Sequence, residues 1–437
     1  MPSPQSARIE SLATDGRGVV RLDGVVYFVP RALPGDLVLL NLNSASKPPS
    51  AEVVSLLEPS HVRVPHPCPH AALCQGSLWG SLGYAQQLAH KHELVERTLR
   101  KAVGDVIVLP TVASPLPWRY RNRISLSVWT RAGKLEVGYH SEARQDTGVP
   151  IHACYLPHES ISQSLNTLAG SLSDFDATDA HIPRRLQIHI TAAEAGLLLF
   201  LNERLTPELM SRWASRLQAC APGGIWYAEA TAAGIVNFRQ PILHTERALP
   251  MQSQWLGHTV DVHPAAFSQA NSLAANLVGE RLLKYRQQSN YSKVWDLYGG
   301  FGALGLAAAG PDHALTVFEI SRLSEPSLQR LAQDLRVTHT RFVQGDLLRT
   351  LPSHISQVQE TDLMILDPPR SGAHPEILSA INRSKARQLI YLSCNPARLG
   401  RDMALLSKGG FAPREIQPYD FFPQTPATEV LAIFHRV

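Results

Sequence analysis

The sequence predicts an α/β protein in three parts: a small all-β barrel over residues 1–58, an α+β middle over 59–250 and a doubly wound parallel sheet over 251–437. Three observations lead there. From residue 251 onward, short apolar strands alternate with helical stretches at the spacing of βαβ units. The first of these strands runs into a glycine-rich turn, Asp296-Leu297-Tyr298-Gly299-Gly300-Phe301-Gly302. Two later strands, Leu363–Leu366 and Gln388–Leu392, stop abruptly at Asp367-Pro368 and at Ser393-Cys394-Asn395-Pro396. Open α/β sheets present their chemistry at such strand ends.

Composition narrows the class. The chain has 437 residues, 44% hydrophobic and 18% charged, as in ordinary globular proteins with more than one domain. A formal net charge of only +4 means that any affinity for nucleic acid must come from local patches. No apolar run approaches a membrane span, and the amino terminus, MPSPQSARIE, lacks the apolar core of a secretion signal. Five cysteines in so long a chain argue against a disulfide framework. The expectation is a cytoplasmic protein.

Taken in order, Arg8–Glu10, Gly18–Arg21, Val25–Val29 and Asp36–Leu40 read as short strands, punctuated by Gly16, Gly24 and Pro34-Gly35. Arg17, Arg21 and Arg31 lie on or beside the turns, either as a basic rim for single-stranded RNA or as a solvated face. Cys68 and Cys74, with His66 and His70 around the first, are clustered as in a metal or iron–sulfur site, but two cysteines do not complete one. Tyr84–Ala102 has helical periodicity through Leu88, Leu94, Val95 and Leu99. In the middle part, Trp118-Arg119-Tyr120-Arg121-Asn122-Arg123 interleaves aromatics and arginines, a pattern for bases and phosphates or for an arginine-rich edge strand. Cys220, on an apparent amphipathic helix, is assigned to packing. In the last part, strands are expected at Lys293–Leu297, Leu315–Phe318, Thr340–Val343, Leu363–Leu366, Gln388–Leu392 and Val430–Phe434, after a helix near Leu273–Leu283.

The glycine turn carries a G-x-G-x-x-G spacing from Gly300 to Gly305, which is weak alone and compatible with nicotinamide or S-adenosylmethionine binding. Glu319 and Asp346 end the next two strands, where acids meet ribose hydroxyls or an adenine edge. Cys394 separates the two readings. A nicotinamide enzyme needs no thiol there, whereas methyl transfer to C5 of a pyrimidine does, because a thiolate adding to C6 makes C5 nucleophilic. A base must then remove the C5 proton, and Glu429 stands at the mouth of the last strand.

These residues carry a resemblance. Ser393-Cys394-Asn395-Pro396-Ala397 with Arg401-Asp402, Asp367-Pro368-Pro369-Arg370, Phe267-Ser268-Gln269-Ala270-Asn271, Asp296-Leu297-Tyr298 and Phe422-Pro423-Gln424-Thr425 with Glu429 resemble the RNA uracil-C5 methyltransferase family. The amino-terminal barrel resembles a TRAM domain, so the likeness spans nearly the whole chain and favours the 23S ribosomal RNA branch over the transfer-RNA branch. The resemblance implies a Rossmann-like S-adenosylmethionine methyltransferase domain, with Cys394 as nucleophile and Glu429 as proton acceptor. It implies Gln269, Tyr298, Glu319, Asp346 and Asp367 around the cofactor, and Arg370 orienting a loop or phosphate. The target uracil would be flipped out of the RNA to reach Cys394. The chain also departs from the family pattern. Cys68, Cys74 and Cys154 match three of four iron–sulfur ligands, but Ser77 occupies the third position and is a poor partner for iron, so a 4Fe–4S cluster is not expected. Gly299 stands where the family usually has cysteine. A monomer is expected. The same chemistry on the transfer-RNA T-loop is one alternative, and a non-catalytic RNA-binding module with the same fold is another.

Overall fold

The computed structural model describes residues 3–140, 148–173, 185–191, 193–201, 206–229, 243–244 and 249–436. The amino-terminal strands form one curled six-stranded sheet. Asp23 and Gly24 turn the hairpin between Gly18–Leu22 and Val25–Val29 in two residues, with φ of 49° and 79°, the left-handed pair that suits strand twist. The small all-β unit expected here is present, and its first segment is divided. The first segment breaks into Gln5–Arg8, paired with Leu37–Asn43, and Ser11–Leu12, paired with Gly18–Leu22. These two lie at opposite edges of the sheet, so one stretch of chain borders both edges and curls it. The strand Ser50–Glu58 was not expected as such: Val53, Val54, Leu56 and Leu57 are all exposed, which erases the period-two signal. Of the three arginines on the turns, Arg17 pairs with Asp15 and lies 4.6 Å over the Phe28 ring. Arg31 donates to the Ala72 carbonyl, and Arg21 stays exposed.

The middle part is built on a mixed seven-stranded sheet with helices Glu159–Ser173 and Pro207–Leu217. The arginines of the Trp118–Arg123 stretch are engaged within the fold. Arg119 pairs with Glu159 at 2.8 Å and donates to the Cys154 carbonyl. Arg121 lies over the Tyr120 and Phe422 rings, and Arg123 donates to the Ser268 carbonyl. Cys220 is fully buried with its Sγ on the Leu217 carbonyl, a packing role as expected.

A first helix, α1 (Tyr84–Val103), buries one stripe spaced four residues apart: Gln87, Lys91, Val95 and Leu99. Its apolar half packs with Trp295, Leu297, Met364 and Tyr391 of the carboxyl-terminal sheet. Although α1 falls within residues 59–250, its core is shared with the last part of the chain.

That last sheet has seven strands: β1 (Lys293–Leu297), β2 (Ala314–Glu319), β3 (His339–Gln344), β4 (Asp362–Leu366), β5 (Gln388–Ser393), β6 (Phe411–Tyr419) and β7 (Glu429–Arg436). Their order is β3-β2-β1-β4-β5-β7-β6. Val294, Leu363, Ile365 and Ile390 face one layer, while Trp295, Met364 and Leu389 face the other. Burial on both faces is why these strands read as continuous apolar runs. One expectation is corrected: the sheet is mixed, because β7 runs antiparallel to both β5 and β6. Strand β6 escaped notice because Pro413, Arg414, Glu415 and Pro418 break its apolar pattern, which an edge strand with a register shift at Pro413/Glu415 tolerates.

Candidate active site

The carboxyl ends of β1, β4 and β5 open on one pocket, whose walls include Gln269, Tyr298, Gly300, Phe301, Asp367 and Leu392. The glycine turn after β1 makes it possible. Gly302 has φ of 75°, and a Cβ there would meet Leu328 at 2.5 Å. A Cβ on Gly305 would meet the Asp296 carboxylate at 2.7 Å, so only glycine lets the following helix approach β1 this closely. Tyr298 itself sits at φ of 61°, an uncommon backbone state for a tyrosine, at the lip of the pocket.

Of the residues expected around a cofactor, the fold brings Gln269, Tyr298 and Asp367 onto the pocket wall. Glu319 is one contact away: its Oε2 accepts from the Gly300 amide at 3.1 Å and its Oε1 from the Ser321 amide at 2.8 Å. Asp346 is exposed and caps the short helix Leu347–Thr350, accepting from the Leu348 amide at 3.0 Å. Two wall residues were not singled out from sequence. Asp296 is fully buried, and its Oδ1, like Ser268 Oγ, has no protein partner. An acid at the end of a buried apolar strand was the available signal for Asp296. Orphaned buried oxygens on a pocket wall fit a ligand that brings donors and positive charge, as the amino group and sulfonium of S-adenosylmethionine do.

Beside this pocket the strand register joins two reactive groups. Ser393 faces Val430 across the β5–β7 ladder, so Cys394 and Glu429 follow as neighbours at the same edge. Asn395 then caps the helix Pro396–Leu406, accepting from the Ala397 and Arg398 amides, which explains why the strand ends where it does. Burial pushes the Cys394 thiol up to about 11, aided by Glu429 and Asp367 and opposed by Arg370. Burial, then Asp367, raises the Glu429 carboxyl well above its ordinary range. Asp367 is pushed up to about 7 by burial, with a hydrogen bond from Gln269 holding it down. Asp296 is pushed up to about 8 by burial. A crevice that holds protons on its acids is one that gains from an arriving cation.

The loop after Asp367 is tied from below. Asp402, fully buried, accepts from the Ala373 amide at 2.9 Å and from the Tyr391 hydroxyl at 2.6 Å. Arg401 donates to the Ala373 carbonyl at 2.9 Å. Asn395 also reaches back to the Arg370 carbonyl at 3.2 Å. The Arg401-Asp402 pair was visible in the sequence, but its supporting role was not.

Cys68, Cys74 and Cys154 face a second, smaller cavity together with His70 and Ser77. The residues do not fit a four-ligand cluster. The Ser77 hydroxyl is 3.3 Å from His66 Nε2, and Cys154 is buried and pushed up to about 11. Among the described residues, no group of three or more His, Cys, Asp or Glu is arranged to hold a metal ion. No described helix is long and apolar enough to cross a membrane.

No family model matches the chain. Its curated relatives include the 23S rRNA (uracil(1939)-C(5))-methyltransferase RlmD of Pseudomonas putida, 30% identical over 440 residues, covering 98% of this chain and 93% of that protein. An uncharacterised RNA methyltransferase of Halalkalibacterium halodurans is 26% identical over 443 residues, covering 97% and 95%. Among solved structures, the tRNA (uracil-54, C5)-methyltransferase of Pyrococcus abyssi in complex with S-adenosyl-L-homocysteine superposes with a TM-score of 0.73. It is 22% identical, with 98% of this chain and 100% of that one covered, a likeness of fold. With a relative of 30% identity matched over nearly its whole length, the chain belongs to the RNA uracil-C5 methyltransferase family.

Proposed function

We propose that the chain is an S-adenosylmethionine-dependent enzyme that forms 5-methyluridine in 23S ribosomal RNA, with Cys394 as nucleophile and Glu429 as proton acceptor. The observation that carries this reading is the β5–β7 ladder, which makes a thiol and a buried carboxyl neighbours just past Leu392, a wall residue of the pocket that Gln269, Tyr298 and Asp367 also line. The ribosomal target is supported by the relative in Pseudomonas putida.

The chemistry follows from the residues. C5 of a neutral uracil is a poor nucleophile. Cys394, once ionised, adds its Sγ to C6, and the displaced electron pair moves to the C4 oxygen as an enolate. S-adenosylmethionine supplies a methyl group on a positively charged sulfur. The enolate's C5 takes that methyl as the methyl–sulfur bond breaks. Glu429 then accepts the C5 proton, the C6–S bond breaks, and the thiolate leaves with its electron pair. Burial makes Glu429 a stronger base than a surface carboxylate, which suits that step. Arg370 favours the thiolate against the opposing acids. Glu319 and Asp346 complete the cofactor end in this reading. Residues 1–58 serve as an RNA-binding unit ahead of the 59–250 and 251–437 parts. A monomer is part of the proposal, and ribosomal RNA as substrate implies a cytoplasmic location.

The test is incubation with 5-fluorouridine-substituted 23S and transfer-RNA transcripts plus S-adenosylmethionine. Fluorine cannot leave C5 as a proton, so the enzyme is expected to trap itself on 23S fragments as a denaturation-resistant adduct lost in Cys394→Ala. An adduct with transfer RNA alone would keep the mechanism and overturn the target. No adduct with either would favour a non-catalytic RNA-binding module.

A further inference from the structure

We propose that Gln87 and Lys91 of α1 are positioning residues that set Glu429 through the loop Asp420–Thr428; this rests on the reading of Glu429 as proton acceptor. Lys91 and Asp420 are both fully buried and form an ion pair. The Lys91 ammonium also donates to the carbonyls of Phe422 at 3.1 Å and Ala427 at 2.8 Å. A lysine has three donors, and here all three go to one loop. They grip both of its ends, the second two residues before Glu429.

One turn earlier on the same face of α1, Gln87 holds the middle of the loop. Its Nε2 donates to Gln424 Oε1 at 2.8 Å, and its Oε1 accepts from the Gln424 amide at 2.9 Å. Gln424 sits at φ of 68°, a backbone state that such reciprocal bonds can maintain. The loop is held from other sides too. Tyr120 Oη donates to the Pro423 carbonyl at 3.2 Å, and Gln424 Nε2 donates to the Pro117 carbonyl at 3.0 Å. Asn271, two residues beyond Gln269, donates to the Phe421 carbonyl at 3.0 Å. The same buried network therefore touches the segment on the cofactor pocket and the loop that delivers the base.

A buried ion pair is poor evidence for stability, since an apolar pair of similar volume often does as well. What an apolar pair cannot supply is three directed bonds to one loop. The stripe on α1 divides accordingly: Val95 and Leu99 pack the core, while Gln87 and Lys91 shape the loop.

The experiment compares the wild type with Lys91→Met, Lys91→Met/Asp420→Leu, Gln87→Ala and Glu429→Gln, using methyl-labelled S-adenosylmethionine and unmodified transcripts of 23S rRNA and tRNA. With enzyme in excess over RNA, so that a single turnover is read, two rates are followed: label entering RNA, and decay of the denaturation-resistant protein–RNA adduct. Calorimetry with S-adenosylhomocysteine reports on the folded cofactor pocket. The α1 variants are expected to bind S-adenosylhomocysteine as the wild type does and to transfer methyl at near its rate. Their adduct is expected to decay on the order of tenfold to a hundredfold more slowly, as a small displacement of a catalytic group does. The double variant removes both charges and Gln87→Ala leaves the ion pair intact, so the proposal is still tested if Lys91→Met does not fold. Transfer and decay falling in equal proportion, or decay unchanged, would overturn it. A persistent adduct in Glu429→Gln but not in the α1 variants would overturn the clamp alone. No persistent adduct in Glu429→Gln would overturn the reading of Glu429, and the clamp with it.

Discussion

Among the described residues, one cavity has a cysteine beside it and another is lined by three, and they differ in what surrounds the sulfur. Around Cys394, the ends of β4, β5 and β7 bring Asp367 and Glu429 together beside a pocket with orphaned oxygens on Asp296 and Ser268. Around Cys68, Cys74 and Cys154, the neighbouring polar groups already have partners: Ser77 with His66, the Cys154 carbonyl with Arg119, the Cys68 amide with His66 Nδ1. The first site leaves hydrogen-bonding capacity for a ligand, and the second closes on itself. The setting of a thiol, more than its presence, assigns its chemistry.

The widest test of that contrast is substitution of the two kinds of cysteine. Cys394→Ala is expected to lower methyl transfer by at least on the order of 10⁴-fold, as loss of a covalent nucleophile does. Cys154→Ala is expected to leave turnover near wild type and cost about 1 kcal/mol of stability from the small void in a buried site. Equal losses of turnover in the two variants would erase the distinction. Next in size is Glu429→Gln, expected to slow turnover by about 10²- to 10⁴-fold while adduct accumulates; slow turnover without adduct would assign Glu429 to an earlier step.

Loss of the Asp402 carboxylate has an intermediate effect. Asp402→Asn leaves the buried Tyr391 hydroxyl and Ala373 amide with a weaker acceptor, at a cost of about 1–3 kcal/mol in thermal or denaturant unfolding. An unchanged midpoint would remove Asp402 from the support of the Asp367 loop. For the second cavity, iron and acid-labile sulfide in anaerobically purified protein are expected to be far below stoichiometric, and chelator to leave the melting temperature unchanged. Stoichiometric cluster absorbance would reverse the reading of Ser77.

A further contrast lies in the pH dependence of stability. Asp296 binds its proton more tightly folded, up to about 8, than unfolded, near 3.9. The folded chain therefore holds an extra proton between those values, and stability falls as pH rises through that window. Asp296→Asn is expected to flatten that part of the melting-temperature profile, and a profile of unchanged slope would mean that burial does not raise the Asp296 carboxyl. Asp367 adds to the slope with the same sign.

Much of this was legible in the residues. Strand β1 was expected at Lys293–Leu297 and lies there, and β5 needed only Ser393 added. Their runs of buried apolar residues and their stops at proline or glycine are local signals. Strand β6 was not legible, because Pro413, Arg414, Glu415 and Pro418 interrupt its apolar pattern. The arginines of Trp118–Arg123 were equally open to two readings, since a charged residue's partner lies far away in sequence, as Glu159 and Ser268 do.

The sequence carried most strands of the last sheet and the reactive residue types: apolar runs that must be buried on both faces, a glycine-rich turn, a thiol and acids at strand ends. These follow from short-range sterics and from the pattern of burial, which each stretch of chain carries in itself. Which of these groups meet depends on how the chain closes in three dimensions. The antiparallel return of β7 makes Cys394 and Glu429 neighbours, and α1, more than 300 residues before the loop it grips, supplies Lys91 to Asp420. Contacts of that kind depend on how sheets and helices close in space, and no local pattern encodes them.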